Sequence, residues 1–262
     1  MRRAILIFSA VFIAGCAATG TTPTSSSSAI PVSEQMPAGV AEKSAKTHTE
    51  LGALYLAAGN FAVALEESRY AAATDPNYAP AYNLMGLVHL MLNETSQAKG
   101  AFERAIQLAP TDPQIANDYG WFLCVSGREQ EAFKYFETAS RNPLYRTPTR
   151  PYTNAGLCYL RIKDDKSAEM NFQRAVLLDG SNAQATYHLA SLSYKRGDYF
   201  NAKKLLGELH KLIEPNAESL WLGVRIERKI GDRQAEAGYS SQLRRKFAGT
   251  PEHQALMQGK FE

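Results

Sequence analysis

The sequence predicts an all-α solenoid, a superhelix of about six stacked helix-turn-helix repeats. Three observations predict it: glycines recur at a fixed interval, small and aromatic residues recur at the same interval, and each interval holds two amphipathic segments. Gly52, Gly86 and Gly120 are 34 residues apart, and Gly156 follows after 36. Such a period indicates a repeat architecture, in which each unit buries its apolar face by stacking on its neighbours.

The second segment of each unit carries the recurring alanines and phenylalanines. Segments such as residues 82–90 and 98–106 place apolar residues at i, i+3, i+4 and i+7, which is typical of a helix with one buried stripe. We expect the glycine of the first helix to let the second helix approach closely, with phenylalanine filling the gap between successive pairs. The recurring positions are Ala64, Ala98, Ala132, Ala168 and Ala202, then Phe102, Phe136 and Phe172.

This pattern resembles the tetratricopeptide repeat, a helix-turn-helix unit of about 34 residues. The resemblance implies a superhelix over residues 41–250, followed by a tail or short helix over 251–262. The fifth repeat has Ala190 in the glycine position and Leu206 in the phenylalanine position, whereas the sixth is degenerate, as a capping repeat often is. The repeats are predicted to begin near Ala45, Ala79, Pro113, Thr149, Ala183 and Ala217.

The first fifteen residues are predicted to be a signal peptide, outside the fold. Two arginines precede an apolar run over residues 4–13, which is too short to span a bilayer of about 30 Å. The run ends in Ile-Ala-Gly before Cys16, which resembles the bacterial lipobox and implies cleavage before Cys16 and acylation of that cysteine. Ala17 resembles the residue that follows the cysteine in lipoproteins sorted to the outer membrane. The alternative is an ordinary secretory signal with an accidental cysteine.

Residues 16–40 are predicted to form the lipidated cysteine and a flexible linker. Residues 17–39 hold four Thr, five Ser and three Pro, and few side chains that can pack. Such a composition does not offset the entropy of ordering. A coil of this length spans about 25–30 Å, enough to hold the folded part clear of the membrane.

The chain carries no sign of catalytic or nucleic-acid chemistry. Its 29 Lys+Arg and 26 Asp+Glu leave a net charge of +3, without a basic block that would neutralise a run of phosphates. The five histidines are scattered and lack metal-ligand spacing, and no nucleophile elbow or phosphate-binding glycine loop occurs. We therefore expect a non-enzymatic protein with no metal, cofactor or small-molecule substrate.

The inner wall of the superhelix is the expected partner-binding groove. The tetratricopeptide resemblance implies that a set of first-helix positions faces this wall, and here those positions carry large apolar residues and a few asparagines. Asn83 and Asn117 are expected to hydrogen-bond the backbone of a bound segment, although superhelix curvature is expected to bury some members of the set. The groove residues are Asn83, Leu87, Met91, Asn117, Trp121, Leu157, Tyr187 and Tyr194.

Two further features of the repeats carry predictions. The open end of repeat 1, with Leu51, Leu54 and Leu56, is a second candidate contact site because no preceding repeat covers it. The proline-containing loop over residues 142–151 is either a partner contact or, more commonly for such an insertion, a tolerated connection.

A disulfide between repeats 3 and 4 is also expected. Cys124 and Cys158 are 34 residues apart in neighbouring first helices, and an exported protein meets an oxidising compartment. Their repeat positions are offset by two, so two buried free thiols are the alternative.

The lipobox, the Ser/Thr linker and the repeats together resemble the type IV pilus biogenesis and stability lipoproteins. The sequence Gly-Trp-Phe-Leu-Cys over residues 120–124 and the cysteine pair add to this resemblance. It implies an outer-membrane lipoprotein that faces the periplasm and acts as a pilotin, which binds the secretin subunit and promotes its localisation and multimerisation. The alternative is a lipid-anchored scaffold or activator for cell-wall enzymes or for outer-membrane protein assembly.

Overall fold

The structure, a computed structural model, describes residues 30–261, which form thirteen α-helices and no strand. A 3-10 turn over Val32–Glu34 precedes the first helix. The predicted signal peptide, Cys16 and the linker as far as residue 29 lie outside the described residues. The helices are α1 (Val40–Ala57), α2 (Phe61–Thr74), α3 (Ala79–Met91), α4 (Thr95–Leu108), α5 (Pro113–Val125), α6 (Glu129–Ser140), α7 (Thr149–Arg161), α8 (Asp165–Leu178), α9 (Ala183–Lys195), α10 (Tyr199–Leu212), α11 (Ala217–Ile230), α12 (Arg233–Lys246) and α13 (Pro251–Gln258).

Consecutive helices pair as six repeats, from α1 and α2 in repeat 1 to α11 and α12 in repeat 6. The predicted all-α repeat solenoid is confirmed. The first helices of repeats 2–6 begin where the period places them, whereas α1 begins at Val40, five residues before Ala45. The last helix, α13, packs against α11 and α12 and covers the end of the array.

The turn inside every repeat contains one residue in the left-handed region, with φ from 60° at Asn93 to 89° at Gly231. Glycine tolerates this conformation because it lacks a Cβ, and asparagine tolerates it better than most residues. The same place in repeat 4 is held by Lys163. These residues are Gly59, Asn93, Gly127, Lys163, Gly197 and Gly231.

The recurring glycine of the first helix allows the second helix to pack closely. A Cβ added at Gly86 would lie 2.8 Å from the ring of Phe102, and one added at Gly156 would lie 2.6 Å from Phe172. In repeat 5 Ala190 takes the glycine place and packs in the same cluster as Leu206. Alanine is accommodated there because the residue that meets it is a leucine and not a phenylalanine.

A disulfide joins the first helices of repeats 3 and 4. Cys124 in α5 and Cys158 in α7 are bonded, with their Cα atoms 5.8 Å apart, and both are fully buried. The offset of two residues between their repeat positions does not prevent the bond. The bridge adds a covalent link where neighbouring repeats otherwise meet through packing alone.

Part of the predicted linker is packed on the repeats, so the expectation of a flexible segment is wrong for residues 31–34. The Val32 side chain contacts the small-residue clusters between repeats 1 and 3, and its backbone N–H donates to Asp112 Oδ2 at 2.6 Å. Glu34 pairs with Arg146 at 2.8 Å. Composition alone missed this contact because one apolar side chain, matched to a gap between alanines, is enough to seat the segment.

Candidate partner-binding surface

The repeats curve so that their first helices lie on the inner side. α1 contacts α3, α3 contacts α5, α5 contacts α7 and α9 contacts α11, whereas among the described residues no comparable contact joins the second helices of neighbouring repeats. Curvature of this kind gives solenoids an extended concave surface. We call the side of the first helices that faces this concavity the inner face.

An apolar stripe runs along the inner face. Leu87 and Trp121 are half-buried at the edge of the core cluster of repeats 2–4, Leu157 lies against the next cluster, and Tyr187 against the one after. Met91 is 56% exposed at the end of α3. We call these five residues the inner stripe. Side chains that pack against the core on one side and are exposed to solvent on the other suit the binding of an apolar partner segment.

The two asparagines predicted to bind a ligand backbone take part in an internal network, and the expectation is wrong for Asn117, whose amide nitrogen and oxygen both bond within it. Asn117 is fully buried, donates to Asp118 Oδ1 at 3.0 Å and accepts from Asn154 at 3.0 Å. Asn83 donates to Asp118 Oδ2 at 2.9 Å, as does Gln114 at 2.8 Å. The network crosses repeats 2–4, and sequence reasoning missed its centre, Asp118.

Asp118 is also a contact point for the segment over residues 142–151. Arg150, in the first turn of α7, approaches Asp118 at 3.3 Å, and Arg146 pairs with Glu34 of the linker. Both arginines therefore contact this same chain, which accords with the interpretation of the loop as a connection. The sequence did contain a signal for the Asp118 network: asparagine recurs on the first helices, and an aspartate stands beside one of these asparagines.

The far end of the predicted groove is covered by the chain's own C-terminus. The Tyr194 hydroxyl donates to the carbonyl of Phe261 at 3.5 Å. The Phe261 ring lies 5.5 Å from Trp221, and the Arg228 guanidinium stacks 3.9 Å from its centre. Tyr194 is thus part of a cap contact and is not free to bind a partner as the sequence predicted.

At the open end of repeat 1 two of the three predicted leucines are exposed. Leu54 is 69% exposed and Leu51 is 37% exposed. Leu56, by contrast, is partly buried and packs against the cluster of Ala64 and Val88. Leu56 is partly buried because its side of α1 faces α2 and the cluster that includes Val88 of α3.

Within residues 30–261, no group of three or more His, Cys, Asp or Glu side chains is placed to hold a metal ion. In the same residues, no helix is both long enough and apolar enough to cross a bilayer. The features that the surface does present are the inner stripe and the exposed leucines of repeat 1. These features suit the binding of another protein chain.

Comparison with known proteins agrees with the geometry. The tetratricopeptide repeat family matches residues 55–117 and 149–182. The type IV pilus assembly protein PilF of Pseudomonas aeruginosa is 30% identical over 207 residues, which cover 79% of this chain and 82% of PilF. The chain belongs to the PilF family. It is a tetratricopeptide repeat protein of type IV pilus biogenesis.

Solved structures of PilF-family members have the same fold. The P. aeruginosa PilF structure superposes with a TM-score of 0.76 at 28% identity, covering 84% of this chain and 99% of that one. The crystal structure of PilW, a widely conserved type IV pilus biogenesis factor, superposes with a TM-score of 0.75 at 26% identity, covering 81% and 98%. Protein–protein interaction is therefore the activity that the repeats and the PilF family share.

Proposed function

We propose that this PilF-family protein is a pilotin, a lipid-anchored assembly factor that binds the type IV pilus secretin subunit. In this proposal Cys16 carries the acyl chains, the protein resides in the outer membrane facing the periplasm, and its binding promotes secretin localisation and multimerisation. The observation that carries the proposal is an inner face that stays open over repeats 1–4, in a chain whose family assembles type IV pili.

The mechanism requires no catalysis. The inner stripe holds a secretin segment, while several acyl chains, each methylene contributing about 0.8 kcal/mol, hold the complex at the membrane. The partly exposed Leu87, Trp121 and Leu157 supply apolar area for this contact. Sorting of the lipoprotein then carries the bound subunit to the membrane in which it multimerises.

The first test is made in cells that lack this protein. Their membranes are run unheated and without reductant on a gel, and secretin multimers are detected by immunoblot. We expect the multimer to be lost and monomer to collect in the inner membrane, with recovery on complementation. Normal multimers in the outer membrane would refute the pilotin proposal and direct the search to cell-wall enzymes.

The anchor is tested separately. The Cys16→Ser chain should move from the membrane fraction to the soluble periplasmic fraction, whereas a Ser25→Ala chain, altered in the same linker, should remain with the membrane. Unchanged fractionation of Cys16→Ser would contradict the acylation.

A further inference from the structure

A cavity of about 230 Å³ lies on the inner face of repeats 1–3. Its walls come from α1, α3 and α5, and Ser33 of the packed linker segment forms part of its rim. The linker is held in this place by the bond from Val32 to Asp112. The cavity is thus built from three repeats and a segment outside them, next to Leu87 of the inner stripe.

One polar atom at this cavity lacks a partner. Asn83, which lines the cavity, is only 6% exposed, and its Oδ1 atom is buried with no hydrogen-bond partner. Rotating the amide would not help, because its oxygen would then face the Asp118 carboxylate, which now accepts from Asn83 Nδ2 at 2.9 Å. A buried acceptor left without a donor costs about 1–3 kcal/mol. The site therefore favours a ligand that brings an N–H group.

The cavity is also negative. Glu50 and Asp112 line it, and none of its lining residues is a lysine or an arginine. Burial raises the pKa of Asp112, and burial followed by the charges of Glu50, Glu42 and Asp112 raises the pKa of Tyr78 at the same wall. Burial is the main cause of both shifts, and the negative charge of neighbouring carboxylates adds to each.

The remaining wall is apolar. Leu84, Leu87 and Ile115 supply it, and Leu84 and Ile115 belong to the buried core. A long side chain with a methylene stem and a cationic end matches such a combination, because the stem covers apolar surface while its head reaches acceptors. Arginine fits better than lysine, since its planar fork of five donors serves an amide oxygen and a carboxylate at once.

We propose that this cavity binds an arginine side chain of the partner segment that lies along the inner stripe. The guanidinium donates to Asn83 Oδ1 and is neutralised by Glu50 and Asp112. The inference rests on the proposed function, which supplies the partner, and adds the residue type that the partner must present.

The main variant is Glu50→Gln in the full chain, because Glu50 is exposed and its replacement leaves the core intact. Binding to the purified secretin subunit is measured by calorimetry, and we expect a Kd about tenfold weaker or more. Glu66→Gln, at a glutamate that is also exposed but lies on α2, should leave the Kd unchanged. Asn83→Leu is the second variant, with its melting temperature measured to confirm folding.

Overlapping peptides of the secretin identify the bound segment. The peptide that binds should contain an arginine whose replacement by citrulline, a neutral isostere, weakens binding about tenfold, and lysine should restore only part of the affinity. Equal binding of the citrulline peptide, or an unchanged Kd for Glu50→Gln, would overturn the inference while leaving the pilotin proposal standing.

Failure of the proposed function is told apart by a probe that needs no secretin. If secretin binds no form of the protein, isotope-labelled protein is titrated with N-acetylarginine amide and with N-acetylcitrulline amide. Shifts of the Asn83 side-chain amide with the arginine compound alone would support the cavity as an arginine site. Equal shifts, or none, would refute it.

Discussion

The two ends of the inner face are built from the same kind of helix pair, but one end is open and the other is covered by another segment of the chain. At repeats 1–3 the face is open, with a cavity beside Leu87 and an exposed Leu54. At repeats 5 and 6 the face is covered around Tyr194 and Trp221, because Phe261 contacts both of them and stacks with Arg228. Availability for a partner is therefore decided by which segments of the chain already lie on a repeat, and the repeat pattern does not reveal it.

The covered end has a structural reason. A terminal repeat has no following repeat to bury its apolar side, so it needs a cap. Here α13 and Phe261 supply the cap, and Trp221 is nearly buried as a result. The open end has no equivalent segment over Leu54 among the described residues. The difference can be tested by substituting residues at one end and comparing stability, binding or fluorescence quenching with the other end.

The largest expected effect is on stability and concerns the disulfide at repeats 3 and 4. The Cys124→Ala/Cys158→Ala chain should lose about 3–4 kcal/mol in free energy of unfolding, because the bond closes a loop of 34 residues in the unfolded chain. Urea denaturation followed by circular dichroism measures the loss. Hydrogen exchange should rise most in α5 and α7 and least in α11–α13.

Reductant provides the control for this prediction. Wild-type protein in dithiothreitol should unfold at nearly the urea concentration of the double variant, which separates the lost bond from lost side-chain packing. Identical midpoints for oxidised and reduced wild-type protein would contradict the stabilising role.

The second prediction compares the two ends in partner binding. Trp121→Ala should weaken secretin binding about 30-fold, since aromatic residues at the centre of an interface commonly contribute 2 kcal/mol or more. Tyr194→Phe at the covered end should leave the Kd unchanged. Biolayer interferometry gives both values, and circular dichroism confirms helix content. Normal binding by Trp121→Ala would move the site to Leu51 and Leu54.

A smaller effect follows from removing the cap. Phe261→Ala should expose Trp221, and acrylamide quenching of its fluorescence should increase by about a factor of two, while the stability loss stays near 1 kcal/mol because Phe261 is only partly buried. The chain has two tryptophans, so a Trp121→Phe background isolates the signal of Trp221. In the reciprocal Trp221→Phe background, quenching of Trp121 should not change, and an equal increase there would argue against a local cap.

The smallest predicted effect is the acid sensitivity of repeat 5, which contains His188 and His210. Burial lowers the pKa of His188, whose ring stacks 4.9 Å from that of Phe172. Below the ordinary value of about 6.5 the unfolded chain binds a proton that the folded chain does not, so stability is complete above that pH and falls as the pH drops below it. Burial lowers the pKa of His210 in the same repeat, which adds to the effect.

His188→Leu should therefore reduce the loss of stability between pH 7 and pH 5.5, measured by urea denaturation at each pH. An unchanged slope in His188→Leu would contradict the assignment.

Much of the fold was predictable because it is local and periodic. The spacing of Gly86, Gly120 and Gly156 placed the first helices and the close contacts with phenylalanine, since each repeat meets mainly the next one along the chain. The same register placed Leu87 and Trp121 on the inner face. Equivalent positions in different repeats have similar surroundings. For this reason four of the five inner-stripe residues are half-buried, as a binding groove requires.

Which side chains of the site are free to bind a partner was not predictable in the same way. Asn117 occupies a groove position by register, but its amide is taken by Asp118 beside it and by Asn154 of the next repeat. Side-chain hydrogen bonds of this kind depend on rotamers and distances that a spacing rule does not contain.

By itself, the sequence determined the solenoid, its period and the face on which a partner would lie, because these follow from helix periodicity and repeat stacking. Only the tertiary structure decided which parts of that face are open. Phe261 meets Tyr194 across 67 residues, and Val32 meets Asp112 across 80, and neither separation is a multiple of the repeat. Segments outside the period settle wherever the folded array offers a matching gap, and that gap exists only once the repeats have packed.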